Sequence, residues 1–419
     1  NIAKEQYTSP TPIQQQAVPV ALSGRDIIGI AKTGSGKTAS FVWPLIVHVL
    51  DQPYLQKGEG PIGVIVAPTR ELAHQIYLEC KKFCKGLGIN VAPLYGGQAK
   101  LEQLNALREG AEIVVCTPGR LIDLIKTKKC PMTRVTFLVL DEADRMFQLG
   151  FEPQINSIVG RVRPDRQTLL FSATFRPKVE TLARNILVDP VRIVIGKVGQ
   201  ANEDIVQRVE VIDPAMKWGW LTSRLPAFVG HGSVLVFVST RQAAQELTKN
   251  LNLYGYPSTS LHGDKAQAER HEIMKQFKKG EFKVLVATDV VARGMDVRSI
   301  KTVVNFDLAK NIEAHIHRIG RTGRAGEQGT AYTLIVPDDK PKTVADVVRN
   351  LQSTGIHVSP QLLEIAMKNK KFASSRTRRQ KGGGEPQAAR PIGPRTGGRG
   401  IGFTQGGGGG GGGKPAKEG

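Results

Sequence analysis

No apolar run in this chain approaches the roughly 18 consecutive residues that a membrane-spanning helix requires, and no secretory signal opens it. The first residue is Asn1 rather than Met, so an address upstream of it stays open. Cysteine is scarce. Cys80, Cys84, Cys116 and Cys130 are scattered among apolar positions, and although Cys80 and Cys84 are spaced to share a helix face, no second pair or nearby His completes a zinc set. Buried thiols in a reducing compartment are expected instead. Acidic residues are outnumbered, 37 Asp and Glu against 58 Lys and Arg, and the formal charge of +21 points to an anionic partner. Nucleic acid and an anionic membrane surface both qualify, and nothing in the chain favours the membrane. At 419 residues the chain is too long for one ordinary core, which predicts two domains and a tail.

What is present begins with Pro10-Thr11-Pro12-Ile13-Gln14, an extended turn that leads into a predicted helix from Ile13 to Leu22. The apolar run Ile27 to Ile30 follows, then Ala31-Lys32-Thr33-Gly34-Ser35-Gly36-Lys37-Thr38 and a helical pattern through Leu50. Strand, glycine loop and helix form the context of a P-loop. Gly34 and Gly36 allow backbone N–H groups around Ser35 to converge on phosphate oxygens, Lys37 supplies a point charge, and Thr38 offers a hydroxyl to Mg²⁺. The strict pattern has Gly where this chain has Ala31. A glycine-rich loop with a chance Lys-Thr is the bland competitor.

A second landmark is Leu138-Val139-Leu140-Asp141-Glu142-Ala143-Asp144, a run of β-formers that ends in three carboxylates. Alone, these acids read as a solvated turn or a helix cap. Downstream of a P-loop they acquire a role: Asp141 to hold Mg²⁺, usually through water, and Glu142 to orient or deprotonate an attacking water. A nucleoside triphosphatase is therefore expected.

Between the landmarks strands and helices alternate, and each apolar strand ends in a polar cluster: Pro68-Thr69-Arg70-Glu71-Leu72-Ala73, Gly96-Gly97, Thr117-Pro118-Gly119-Arg120 and Ser172-Ala173-Thr174. A parallel sheet would gather these along one edge, where Arg70, Arg120, Thr69, Thr117 and glycine N–H groups suit a phosphodiester backbone. A helix cap with solvated arginines accounts for any one cluster, less readily for four. The stretch 194–204 loses periodicity and is the expected linker. Six strands are predicted beyond it, over 206–212, 234–238, 259–261, 284–288, 302–306 and 331–335, with helices over 241–251 and 267–277. This half lacks a Gly-x-Gly-Lys-Thr of its own. It offers Ala287 to Asp296, and His317-Arg318-Ile319-Gly320-Arg321-Thr322-Gly323-Arg324, whose arginines recur every three residues and on one helical turn would project to a common side as fingers toward a γ-phosphate. An exposed basic helix start, or phosphate contacts to nucleic acid, is the alternative, and His317 alone reads as a packed histidine.

Taken together and in this order, these motifs resemble the DEAD-box RNA helicase family across about residues 1 to 340. The resemblance implies an α/β protein of two tandem RecA-like parallel-sheet domains, 1–200 and 205–369, with ATP and Mg²⁺ as cofactors and RNA as partner. Gln14 would read the adenine edge. Thr33, Gly34, Ser35, Gly36, Lys37 and Thr38 would take the phosphates and Mg²⁺, with Asp141 on the metal and Glu142 on the water. The second domain would contribute Arg321 and Arg324, and Asp296 near the ribose. Ser172, Thr174 and His317 would couple hydrolysis to RNA contact. RNA would be touched by Arg70, Gly97, Thr117 and Arg120 on one side and by Thr240, Arg241, Gln267, Arg270, Thr288 and Gly294 on the other. The family's adenine-stacking aromatic would lie upstream of Asn1, and Val291 and Met295 stand where Ala and Leu are commoner. Glu109 to Cys116, Val162 to Gln167 and the helical extension Val347 to Asn369 are similar to a nuclear, pre-mRNA-splicing-associated branch. That similarity implies a nuclear or partly cytoplasmic monomer working with spliceosomal or other RNP proteins, away from membranes.

The segment 370–419 differs in kind, with 17 of the 46 glycines and eleven Lys and Arg against two Glu. That composition cannot bury a core and predicts disorder. Arg395-Thr396-Gly397-Gly398-Arg399-Gly400 reads as a flexible RNA tether or an inert linker. An ATP-gated RNA clamp or annealing factor and a DNA-directed ATPase also fit the sequence.

Overall fold

A computed structural model describes residues 1–381 except 6, 33, 57, 98, 176, 197–204, 290–299 and 324–326. The expectations for Thr33, Gly294, Asp296, Arg324, most of the linker and the chain beyond 381 lie outside the described residues.

The first lobe is built on β1 (Ile27–Ala31), β2 (Gly63–Val66), β3 (Val91–Leu94), β4 (Ile113–Cys116), β5 (Phe137–Leu140), β6 (Gln167–Ser172) and β7 (Val191–Ile195). They pair all-parallel in the order β3-β4-β2-β5-β6-β1-β7. The second lobe carries β8 (Ile205–Val211), β9 (Ser233–Phe237), β10 (Ser258–Leu261), β11 (Val284–Ala287), β12 (Ile300–Asn305) and β13 (Gly329–Ile335), also parallel, in the order β10-β11-β9-β12-β13-β8.

Helices cover both faces of each sheet, so alternate residues of one strand enter opposite cores. Phe137 and Val139 join the cluster of Phe41 and Phe171, whereas Leu138 and Leu140 join that of Met146 and Leu182. The second lobe divides likewise, Leu235 and Phe237 to one side, Val234 and Val236 to the other. With both faces dry, polar chemistry is confined to the strand ends. Because β1, β6 and β5 are adjacent, the glycine loop, the Ser172 turn and the three acids emerge side by side.

Two expectations are sharpened. The helical extension from Val347 to Asn369 is carried by two helices, Pro341–Ser353 and Pro360–Met367. Gly355 turns left-handed at φ 73° between them, and Ser359 with Pro360 restarts the chain, the Ser359 hydroxyl accepting from Leu362 N at 3.3 Å. The segment from Lys370 is also not structureless from its first residue, because Lys370–Lys381 is helical. One aromatic explains its start. Phe372 is buried beside Val344 and Val348, lies 5.1 Å beneath the Arg349 guanidinium, and donates its N–H to Asn369 Oδ1 at 3.0 Å. Composition averaged over 50 residues hides that anchor.

Replacing Phe372 with Ala should cost about 3 kcal/mol of local stability. Hydrogen exchange at the Ala373 amide, bonded to Asn369 O at 3.0 Å, should then accelerate by about two orders of magnitude.

Candidate nucleotide and nucleic-acid site

β1 ends at Ala31, and the next helix begins at Lys37 with Gly36 as its N-cap. Gly36 sits at φ 93°, and a Cβ there would lie 2.6 Å from Gln14 Nε2 and 2.9 Å from Thr11 Oγ1. Only glycine allows the loop to come this close. Gln14 is buried and braces the loop: its Oε1 accepts from Thr11 N at 2.9 Å and its Nε2 donates to Gly36 O at 3.2 Å. The amide keeps a second N–H and a second lone pair, the groups an adenine edge would need. Lys37 is buried and cinches the loop, its Nζ donating to Ala31 O at 2.6 Å and to Lys32 O at 3.0 Å.

The acids lie on the neighbouring strand end. Asp141 Oδ1 accepts from Glu142 N at 2.9 Å, and burial pushes its carboxyl up to about 7, with Lys37 acting downward and Glu142 upward. Glu142 holds a left-handed backbone at φ 51°, a conformation that costs a non-glycine residue about 1 kcal/mol or more, and its buried Oε2 has no hydrogen-bond partner among the described residues. An unpaired acceptor at this position is available to a water.

Thr38 and Asp141 are oxygen donors, and no cluster of three or more His, Cys, Asp or Glu suited to a metal occurs among the described residues. Such a sparse oxygen set fits Mg²⁺, which retains water and takes phosphate oxygens, better than a metal held in a closed cage.

The third acid, Asp144, joins more groups than any reading of the sequence assigned to it. Its Oδ2 accepts from Thr174 Oγ1 at 2.7 Å and Thr174 N at 3.1 Å, while Ser172 Oγ donates to Thr174 O at 2.6 Å. From the second lobe, His317 Nε2 lies 3.8 Å from the same carboxylate oxygen, an electrostatic contact too long for a hydrogen bond. Burial pushes this carboxyl upward, but His317 and the hydroxyls of Thr174 and Ser172 outweigh it and hold the group down to about 2. The expected coupling residues Ser172, Thr174 and His317 therefore converge on Asp144.

A second contact between the lobes involves residues expected to touch RNA. Arg270 Nη1 donates to Glu71 Oε1 at 3.0 Å, and Gln267 Nε2 lies 3.5 Å from that oxygen. Arg270 also bonds Lys265 O at 2.9 Å and Gly263 O at 2.5 Å. Gly97, at φ 85°, packs so closely on this helix that a Cβ would lie 2.8 Å from Gln267 Cβ.

Beside these contacts opens a cavity of about 580 Å³ lined by Arg70, Thr117, Arg120 and Arg145 from the first lobe and Gly263 and Arg270 from the second. Arg145 was not singled out by the sequence, although it directly follows the acidic motif. Arg120 is steadied by Gln103, whose Oε1 accepts from its Nη1 at 2.8 Å.

The other expected contacts lie elsewhere on the second lobe. Thr240 caps its helix by accepting from Ala243 N at 3.1 Å, Arg241 pairs with Asp264 at 2.7 Å, and Thr288 is buried. The notion of three arginines on one helical turn fails, because the helix Ile312–Ile319 stops before Arg321. Arg318 is a buried post: Nε and Nη2 clasp Asp289 at 2.6 and 2.9 Å, and Nη1 donates to Asp307 O at 2.6 Å. Arg321 is buried in the turn that follows, its Nε donating to His317 O at 3.1 Å.

The model of the DEAD/DEAH box helicases matches residues 11–182, and that of the helicase conserved C-terminal domain matches residues 221–326. The chain belongs to the DEAD/DEAH box helicase family. It is 58% identical over 382 residues to the ATP-dependent RNA helicase DDX42 of Mus musculus, covering 91% of this chain and 41% of that protein. It is likewise 58% identical over 383 residues to the DEAD-box ATP-dependent RNA helicase 24 of Oryza sativa subsp. japonica, covering 91% of this chain and 50% of that one. The chain thus spans about half or less of these relatives. Among solved structures, the NTE and C-tail double deletion of Mss116p bound to ssRNA and AMP-PNP is similar with a TM-score of 0.76 at 30% identity, covering 90% of this chain and 81% of that one.

The Asp141 shift has a measurable consequence. A carboxyl raised from its ordinary value to about 7 in the folded state loses stability as pH climbs from about 4 to 7, because the folded form then retains a proton that the unfolded form has released. Asp141→Asn should accordingly stabilise the nucleotide-free, Mg²⁺-free protein at pH 8 by about 2 to 4 kcal/mol, and by much less at pH 5. Urea midpoints at the two pH values check this.

Proposed function

We propose that the chain is an ATP-dependent RNA helicase that spends the hydrolysis of ATP on opening and closing two lobes around RNA. The observation that carries this reading is Asp144: the carboxylate next to the candidate catalytic acids is bonded to Thr174 of its own lobe, whose carbonyl Ser172 holds in turn, and faces His317 of the other. A change in how the lobes meet is therefore felt beside Glu142.

The glycine loop and Lys37 would hold the phosphates of ATP, and Gln14 the adenine. Thr38 and Asp141 would hold Mg²⁺, which supplies charge neutralisation at the phosphates. Glu142, with its unpaired oxygen, takes a proton from water as that water attacks the γ-phosphorus and the bond to the ADP oxygen breaks. Arg321 is the candidate from the second lobe for the developing charge, with Arg324 and Asp296 as further candidates from the sequence. RNA would run through the cavity between Arg120 and Arg270, held by phosphates and 2′-hydroxyls without sequence preference. Thr240, Arg241, Thr288 and Gly294 would extend the track on the second lobe.

ATP and RNA favour the closed arrangement only by their differential affinity for it, and a closed cleft that accepts a bent single strand parts a few base pairs before hydrolysis reopens it. The names of the relatives and the ligands of the Mss116p structure support this reading. A monomer acting in pre-mRNA splicing in the nucleus is the finer proposal and rests on the resemblance of Glu109 to Cys116 and Val162 to Gln167. An ATP-gated clamp or annealing factor is a second reading, favoured by the direct contacts of Glu71 with Arg270 and Gln267.

RNA should stimulate ATP hydrolysis where DNA of equal length does not, and Glu142→Gln should lower the stimulated rate by about a hundredfold or more. Equal stimulation by DNA would overturn the RNA assignment, and normal turnover of the variant would remove Glu142 from its role. Unwinding should slow steeply as duplexes lengthen, and efficient separation of long duplexes would exclude local strand opening.

A further inference from the structure

The seam that pairs Glu71 with Arg270 contains two histidines to which neither lobe's chemistry has assigned a role. His74 lies on the helix Arg70–Cys84 of the first lobe, His271 on the helix Gln267–Lys279 of the second, and their rings stack with centroids 4.5 Å apart and planes inclined by 26°. Each ring is tied into its own lobe. His74 Nδ1 is 2.7 Å from Tyr95 Oη. His271 Nε2 is 3.1 Å from Gln267 Nε2.

The second tie fixes a protonation state. Gln267 Oε1 faces Arg270 Nη1 at 3.4 Å, so the nitrogen of its amide faces His271. An amide nitrogen is only a donor, so His271 Nε2 must accept, which a protonated ring cannot do. The same amide nitrogen is the one directed at Glu71 Oε1. A proton on His271 would therefore set N–H against N–H and disturb the brace between the lobes.

We propose that His74 and His271 are positioning residues that form a proton-sensitive latch, holding the lobes together only while both rings are neutral. The latch rests on the proposed function, in that the lobes close on ATP and RNA.

The surroundings agree in sign. Around His74 stand Tyr77 and Tyr95 of the first lobe and, across the seam, His271 and Lys278. Burial pushes His74 down to about 4, and His271 and Lys278 act in the same direction. Around His271 stand Gln267 and Arg270 on its own helix and Glu71 opposite; burial lowers it, Glu71 acts against that and Arg270 with it. Opening the seam would move each ring back toward the ordinary value of about 6.5. The contribution of the neutral pair to closure is then complete above about pH 6.5 and lost as pH falls toward 4. For His74 alone this amounts to at most about a tenfold weakening of closure between pH 7.5 and 5.5.

The test follows lobe closure by energy transfer between dyes on cysteines introduced at Leu101 and Leu253, both exposed, in the presence of AMP-PNP and a single-stranded oligouridine. The quantity read is the RNA concentration for half-maximal closure. Its ratio between pH 5.5 and 7.5 should be about tenfold larger in the wild type than in the double variant His74→Gln, His271→Gln, which removes both titrating rings but leaves every other titrating group in place. His271→Lys, a fixed charge, should raise the concentration needed at pH 7.5 by about tenfold. Equal pH ratios for wild type and double variant, or normal closure of the Lys variant, would overturn the latch. No closure at all in the wild type at pH 7.5 would strike the helicase reading instead.

Discussion

A carboxylate with almost no exposed surface has to be supplied with donors or give up its charge, and the way Asp144 is supplied determines how the two lobes meet. Its donors come from Thr174 in the turn just beyond β6, and it faces His317 in the other lobe. Three residues away Asp141 is equally enclosed, but its one described hydrogen bond comes from Glu142 N, and its carboxyl moves in the opposite direction. Two acids of one turn are thus pushed apart by their surroundings. The carboxylate of Asp144 is satisfied by protein and faces the partner lobe, whereas that of Asp141 has a single described donor, Glu142 N, as a proposed ligand of Mg²⁺ would.

That division depends on the sheet. With both faces of every central strand covered, a polar side chain finds water or a ligand only beyond the last strand residue. The adjacency of β1, β6 and β5 then does the positioning: Lys37, Thr174 and Asp144 are far apart in sequence but leave neighbouring strand ends. Glu142 adds a left-handed turn at the start of its helix, a strained conformation held where the strand gives way to the helix.

The same burial made much of the fold legible beforehand. Strands covered on both faces read as continuous apolar runs, and all six strands expected in the second half appear within two residues of their predicted bounds. The places of the glycine loop and the acids were legible because each follows an apolar strand at once, at the end of β1 and of β5. The seam between the lobes was not. Glu71, Gln267 and Arg270 are ordinary polar residues of amphipathic helices until a second surface meets them, and only their partners reveal that Arg270 and Gln267 brace Glu71. Arg318 misled for a related reason: a spacing of three suggests a shared helix face, but Gly320 ends the helix and Asp289 holds the guanidinium inside. At Phe372 a single aromatic outweighed a composition that argued for disorder.

The character of the seam bears on how a switch of this kind works. The lobe contacts described above are polar: an ion pair with its side chains only 11% and 13% exposed, an amide, two stacked imidazoles and a carboxylate facing a histidine. Desolvating such groups costs nearly as much as their attraction returns, so the closed arrangement gains little net free energy from them. An apolar seam of the same extent would hold the lobes shut whatever was bound. A balanced one would leave the decision to groups that arrive from outside, which under the proposed function are phosphates at Lys37 and between Arg120 and Arg270, and would make a small change, such as the proposed proton on His271, large enough to matter.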